Sequence, residues 1–83
     1  MTGQADMEKD LVEYIAKSLV DDPSQVSVSE TGGDKASVIE LRVAEGDIGK
    51  VIGKQGRIAK AIRTVLMAAA AKTGKHATLE ILD

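Results

Sequence analysis

Two glycines three residues apart, Gly53 and Gly56, enclose the most chemically distinctive stretch of this sequence. Lys54 and Gln55 lie between them, and Arg57 follows. Glycine permits a sharp turn with positive φ and lets another molecule approach the main chain closely. If a helix begins at about residue 56, its free N–H groups and the positive end of its dipole lie beside the turn. This arrangement favours binding of an anion, and phosphate in particular.

The distribution of charge along the chain supports an anion-binding site. Residues 48–79 contain seven basic and no acidic residues, whereas residues 1–47 contain four basic and eleven acidic residues. A chain with a net charge of −2 can therefore still present a cationic surface. The basic residues nearest to the glycine turn, which we predict to contact phosphate, are Lys50, Lys54, Arg57 and Lys60.

Motifs for other kinds of site are missing. A P-loop requires G-x-x-x-x-G-K-[ST], but only three residues separate Gly49 from Gly53. The dinucleotide fingerprint G-x-G-x-x-G is also absent, and no serine, threonine or carboxylate is visibly paired with a base. The chain has no cysteine, and its one histidine, His76, has no partner at metal-ligand spacing. We therefore expect no catalysis, no cofactor and no metal.

Length and composition predict a single small domain. The chain has 83 residues and lacks any apolar run near the roughly 20 residues that a membrane span requires. Residues 1–6 lack the cationic and apolar parts of a secretion signal. We expect a cytoplasmic protein with a disordered tail at residues 1–5 and one domain over residues 6–83.

Hydrophobic periodicity predicts the elements that position the glycine turn. Apolar residues four apart predict a first helix with Asp6 as its N-cap and Tyr14 half-buried beside its apolar stripe. The stripe consists of Met7, Leu11, Ile15 and Leu19, widened by Val12 and Ala16. Alternating residues predict strands, the first two forming an antiparallel hairpin. In order, we predict a helix over residues 6–20, strands over 25–31 and 36–43, a short helix over 47–52 capped by Asp47, a long helix over 56–72 and a strand over 76–82.

The long helix after the turn carries the widest predicted apolar face. That face consists of Ile58, Ile62, Val65, Leu66 and Ala69. The alanine run at residues 68–71 favours helix and allows a neighbouring element to pack closely. The neighbour is the sheet or the first helix of the same chain, or alternatively a second copy in a dimer.

The residues around the turn resemble a known nucleic-acid-binding motif. The run from Val51 to Ile58 resembles the V-I-G-x-x-G-x-x-I signature of the KH domain. In that family the G-x-x-G loop clamps the backbone of about four single-stranded nucleotides. The longer run from Asp47 to Arg63 resembles the small bacterial single-KH proteins of the KhpA family, and the resemblance extends from about Met7 to Asp83. It implies the type II KH fold, an α+β domain of order α-β-β-α-α-β with a three-stranded mixed sheet backed by three helices.

The resemblance also implies a groove for single-stranded RNA. Its RNA-binding residues would be Lys50, Ile52, Gly53, Lys54, Gln55, Gly56, Arg57 and Lys60. Its aliphatic floor would be formed by Ile48, Val51 and Ile58, together with Ile39 and Leu41 of the second strand. Such a groove needs no aromatic platform, which is compatible with a chain whose only aromatic residue is Tyr14.

We therefore predict non-catalytic binding of single-stranded RNA by a post-transcriptional regulator or RNA chaperone. The resemblance implies a homodimer, pairing with a larger KH protein of the Jag/KhpB family, and a role connected with cell elongation and division. One alternative is an assembly module, in which the KH surface mainly mediates dimerisation with the larger KH partner and RNA contact is incidental. Another is a ribosome-biogenesis factor that binds structured rRNA.

Overall fold

A computed structural model describes residues 7–33 and 35–82. The predicted tail at residues 1–5 and the N-cap Asp6 lie outside these ranges. The described elements are α1 (Met7–Leu19), β1 (Ser27–Gly32), β2 (Ala36–Arg42), α2 (Ile48–Ile52), α3 (Arg57–Ala71) and β3 (His76–Leu82). In these ranges, no helix combines the length and the apolar character that a membrane crossing requires.

The three described strands form one mixed sheet in the order β1-β2-β3. Strands β1 and β2 pair antiparallel, with Ser29 opposite Glu40. Strands β2 and β3 pair parallel, with Ile39 opposite Leu79. The helices pack on one face of this sheet, so the predicted α+β fold of order α-β-β-α-α-β is confirmed.

The core lies between the sheet and the helices. Alternate strand residues point toward the helices because the side-chain period of a strand is two. The helices contribute residues three or four apart, as their period of 3.6 requires. The largest fully buried apolar side chains are Ile39, Leu41, Leu66, Val12 and Val51.

The connection between α1 and β1 differs from the prediction. Pro23–Gln25 forms a single 3₁₀ turn, so β1 begins at Ser27 rather than at residue 25.

Asp47 stands at the N-cap position of α2, but its side chain makes no capping hydrogen bond. Its Oδ2 instead accepts the backbone N–H of Asp22 at 3.1 Å. The predicted capping role of Asp47 is therefore wrong, because its carboxylate joins two chain segments instead.

The buried face of α3 is rotated relative to the predicted face. Ile62 and Leu66 are buried as predicted, but Ala59 and Ala70 complete the stripe. Val65, which belongs to the predicted apolar face, is 47% exposed. Because each residue of an α-helix is rotated by about 100° from the last, burial of Ala59, Ile62, Leu66 and Ala70 leaves Val65 on the flank of the helix.

Two further side chains on α1 depart from expectation. Tyr14 is 73% exposed rather than half-buried. Glu8 is buried on the same face as Val12 and Ala16. Neither carboxylate oxygen of Glu8 has a hydrogen-bond partner in the part of the chain described. Burial of this carboxylate opposes folding, because the hydrogen bonds it made to water are not replaced.

Candidate nucleic-acid interface

The glycine turn joins α2 to α3 within very few residues. The N–H of Gly53 donates to the carbonyl of Gly49 at 2.9 Å and so closes α2. The N–H of Gly56 donates to the carbonyl of Gly53 at 3.1 Å and so closes the turn. Lys54 and Gln55 lie at its tip, where both are exposed. The turn therefore presents main chain and two long polar side chains to solvent.

Positive φ angles dominate this turn. Gly53 has φ 78°, Gln55 has φ 58° and Gly56 has φ 74°. Gln55 is the one non-glycine residue with positive φ among those the structure describes. A side chain in this conformation is strained, and such strain is found preferentially at functional sites.

The two glycines of the turn are needed for different reasons. A Cβ added at Gly53 would lie 2.6 Å from Cγ1 of Ile58, so space as well as φ excludes a side chain there. A Cβ added at Gly56 would meet no atom within 4 Å. The backbone at Gly56 is therefore open to a ligand, whereas Gly53 lets α2 and α3 pack together.

The N-terminus of α3 opens directly beside the turn. Gly56 is its N-cap residue, and no described side chain caps it. The N–H of Arg57 donates to the carbonyl of Lys54. The remaining N–H groups of the first helical turn lack partners within the helix. Together with the dipole of this 15-residue helix, they favour an anion.

Three basic side chains surround this helix end. Lys54, Arg57 and Lys60 are exposed. None forms an ion pair with an acidic residue in the ranges 7–33 and 35–82. Their charges therefore add to the positive potential at the start of α3.

Lys50 has a different environment from the other three cations. Its Nζ lies 3.4 Å from Oδ2 of Asp21 and 3.6 Å from Oδ1 of Asp47. These contacts compensate its charge and fasten α2 to the segment that follows α1.

In the described part of the chain, no three His, Cys, Asp or Glu side chains are grouped closely enough to hold a metal ion.

The predicted aliphatic floor of the groove is only partly accessible. Ile39, Leu41 and Val51 are 0% exposed, so the prediction that they line a groove is wrong. They belong to the core because the helices cover that face of the sheet. The predicted apolar positions that remain partly exposed next to the turn are Ile52 and Ile58.

Ile48, the remaining floor residue, faces another depression. It lines an open cleft of about 490 Å³ with Arg42, Val43 and Glu45. This cleft lies where β2 ends and α2 begins. Ile48 is therefore partly exposed at this cleft.

An apolar depression that sequence reasoning missed lies between α1 and α3. We call it the α1–α3 groove; its walls are Ile15 and Leu19 of α1 and Ile58, Ala61 and Val65 of α3. Its lining is almost entirely apolar, with Arg57 at its margin. Val65 belongs to the predicted apolar face of α3, and its exposed side chain forms part of this groove.

The opposite flank of α3 faces β3. Nε of Arg63 donates to the carbonyl oxygen of Leu79 at 3.3 Å. Arg63 was not among the residues predicted to form the site. The pairing of α3 with β3 could not be read from periodicity, so this contact had no signal in the sequence.

Comparison with known proteins relates the chain to one family. The sequence model of the KhpA/KhpB KH domain matches residues 9–81. A protein of Clostridium acetobutylicum named RNA-binding protein KhpA is 61% identical over 74 residues, which cover 89% of this chain and 99% of that protein. A protein of the same name from Aquifex aeolicus is 57% identical over 75 residues, which cover 90% of this chain and 95% of the relative.

A solved structure supports the fold alone. The crystal structure of an Era variant of Aquifex aeolicus bound to GDP·AlF4− superposes with a TM-score of 0.63. The sequence identity is 24%, and the match covers 90% of this chain but only 29% of that chain. A domain of this architecture therefore also occurs as a small part of a larger protein.

Proposed function

Because the chain belongs to the KhpA/KhpB KH-domain family, we propose that it binds single-stranded RNA without catalysing a reaction. The observation that carries this proposal is the glycine turn beside the uncapped N-terminus of α3. Lys54, Arg57 and Lys60 add three charges without described ion-pair partners at the same place. Relatives that match nearly the whole chain are named RNA-binding proteins, which supports RNA as the ligand.

In the proposed complex, the turn holds the sugar–phosphate backbone. A phosphate lies against the open main chain at Gly56 and accepts hydrogen bonds from the first turn of α3. The side chains of Lys54 and Gln55 contact the neighbouring backbone, and Ile52 and Ile58 pack against a ribose or base. Because these contacts read few bases, affinity is weak and sequence preference is loose. We propose a role as a post-transcriptional regulator or RNA chaperone in the cytoplasm.

The salt dependence of binding tests the phosphate contacts. Three contacts, from Lys54, Arg57 and Lys60, predict a slope of about −2 for log K against log salt concentration with a single strand. Fluorescence anisotropy of a short unstructured RNA measures this slope. The variant Lys60→Gln is expected to flatten it by about 0.7, because one contact is lost.

The matched control for this measurement is Lys72→Gln. Lys72 is exposed just after the other end of α3. The variant Lys72→Gln is expected to leave the slope of log K against log salt concentration unchanged. A flat response of the wild-type protein to salt would contradict the proposed contacts.

We also propose that the α1–α3 groove is where two copies of the chain associate. Val65 is 47% exposed and Leu19 is 36% exposed, and both line this almost wholly apolar surface. The grouping of these exposed apolar side chains supports an interaction site there. A dimer would present two glycine turns to one RNA and raise the effective concentration of the second. The same groove is the observation that favours the alternative of an assembly module, in which the occupant is a larger KH protein of the Jag/KhpB family.

Sedimentation of Val65→Glu tests the association. A carboxylate in the apolar groove is expected to shift the protein to a monomer, because the charge cannot be paired in the interface. Thr64→Glu is the matched control, since Thr64 is exposed on α3 but does not line the groove. A wild-type protein that sediments as a monomer at all concentrations would contradict self-association and leave the groove to a different partner.

A further inference from the structure

Arg63 lies on the flank of α3 away from the α1–α3 groove and has no role in the phosphate contacts. Its Nε–H donates to the carbonyl of Leu79, which belongs to β3. In the described sheet β3 pairs with β2 alone, so its other edge has no strand partner. An unpaired edge presents main-chain donors and acceptors that can bind another molecule. Arg63 therefore holds its guanidinium at the open edge of the sheet.

The bond to Leu79 restricts which donors of Arg63 are available. Arginine carries five N–H donors in a rigid planar fork. With Nε–H occupied by the carbonyl, the two terminal nitrogens remain, and they present two parallel N–H groups at the end of the fork. Such a pair matches two hydrogen-bond acceptors that lie side by side on a ligand.

We propose that Arg63 selects the base of a nucleotide held at this edge, preferring guanine or cytosine. Guanine offers O6 and N7 as adjacent acceptors, and cytosine offers N3 and O2. Adenine and uracil place a donor next to each acceptor, so they accept only one of the two parallel N–H groups. Recognition of this kind contributes specificity, in contrast to phosphate contacts, which only position the strand. The proposal rests on the proposed binding of single-stranded RNA at the glycine turn.

The position of Arg63 fits an RNA strand that starts at the turn. Arg63 lies six positions after Arg57, which corresponds to about 9 Å along the helix axis. A strand whose phosphate lies at the start of α3 can therefore place a neighbouring base between α3 and the edge of β3. Lysine at this position would keep the charge but lose the planar fork.

The test is a set of oligouridines that each carry one central guest base. Fluorescence anisotropy is expected to show that the wild-type protein binds the guanine or cytosine oligomer about tenfold more tightly than the adenine and all-uridine oligomers. In Arg63→Lys this preference is expected to fall below about twofold, while affinity for the all-uridine oligomer stays within about threefold. The matched control Arg42→Lys, on an exposed residue of β2, is expected to keep the preference.

Modified bases distinguish the two acceptor pairs. If guanine is read, 7-deazaguanine loses the advantage, because its N7 acceptor is absent. If cytosine is read, the 7-deaza change has no effect and the cytosine oligomer binds most tightly. Either result supports the proposal.

Two results would overturn it. Equal binding of all four oligomers by the wild-type protein, or a preference that survives Arg63→Lys, would show that Arg63 does not read bases. In both cases RNA binding itself would persist, so the proposed function would stand. If the folded wild-type protein bound none of the oligomers, the proposed function and this inference would both fail.

Discussion

The two glycines of the turn show how a single residue type can serve packing and binding separately. Gly53 combines a φ of 78° with a contact to Ile58 that leaves no room for a side chain. Gly56 has a similar φ of 74° but faces open space. The spacing of these glycines could be read from the sequence as a turn. The different requirements at Gly53 and Gly56 depend on the side chain of Ile58, which lies against Gly53 but not against Gly56.

Alanine substitution at Gly53 is expected to destabilise the domain, whereas the same substitution at a glycine inside a helix is not. Gly53→Ala should lower the free energy of unfolding by about 1–3 kcal/mol, because it strains the backbone and clashes with Ile58. Gly49→Ala is the matched control: Gly49 lies inside α2, and an added Cβ would meet no atom within 4 Å. It should leave stability unchanged or raise it by up to about 1 kcal/mol. Urea denaturation measures both, and an equal effect of the two changes would contradict this explanation.

The residues that were wrongly predicted to form the groove floor are all buried for the same physical reason. Ile39, Leu41 and Val51 were expected on the groove floor, yet they are fully buried under the helices. A strand residue on the covered face cannot also line a surface groove. Alternation along β2 predicts a strand with two different faces, but it does not show how closely the helices cover one of them.

At the scale of secondary structure, the type and order of the elements followed from periodicity, whereas the rotation of the helices did not. The predicted stripe of α1 ran through Met7 and Leu19, but each of these is 36% exposed. Val12 and Ala16, which widened the predicted stripe, are buried, and Glu8 lies on the same buried face. A rule based on apolar residues does not select a glutamate, so the place of Glu8 in the buried face was not readable from the sequence.

The position of α2 depends on a polar contact rather than on apolar packing alone. Asp47 is only 4% exposed, accepts the N–H of Asp22 at 3.1 Å and lies 3.6 Å from Nζ of Lys50. This contact fixes the start of α2 against the segment after α1. The glycine turn follows α2 directly, so the contact also helps to position the site.

Removal of this contact is expected to destabilise the domain. Asp47→Ala should lower the free energy of unfolding by about 1–3 kcal/mol, because the N–H of Asp22 loses its acceptor. Thermal denaturation followed by circular dichroism measures the change. The control Glu45→Ala, at an exposed neighbouring residue, should stay within about 0.5 kcal/mol of the wild type. If Asp47→Ala left the free energy of unfolding unchanged, Lys50 and the helix contacts would be sufficient to hold α2.

At the scale of the whole molecule, α3 presents three flanks with different surroundings. One flank packs on the sheet through Ile62 and Leu66, and a second borders the α1–α3 groove through Val65. A third meets the edge of β3 through Arg63. The seven basic residues of residues 48–79 are concentrated around this helix, although the chain carries a net charge of −2. Association and base selection are therefore proposed for different flanks of one helix, whereas backbone binding is proposed for its start, where Arg57 and Ile58 also border the α1–α3 groove.

The parallel pairing of β2 with β3 marks the limit of what periodicity predicts. Alternation identified both strands, but their relative direction came only from the resemblance to the KH domain. The edge position of β3 follows from that pairing. The contact between Arg63 and Leu79 exists only once β3 occupies this edge. Long-range pairing of this kind is decided by the assembled core and leaves no local pattern in the sequence.

The most direct test of the account is the affinity of a short unstructured RNA for the double variant Lys54→Asp/Gln55→Asp. Its matched control is Ala71→Asp/Lys72→Asp, which makes the same change in charge at exposed residues near the other end of α3. Circular dichroism establishes that both variants are folded. We expect the turn variant to lose at least about tenfold in affinity and the control to lose much less, because the proposed phosphate contacts lie at the turn and the start of α3, far from residues 71 and 72. Equal affinity of the folded turn variant and the wild-type protein would show that RNA binds elsewhere and would contradict the central claim.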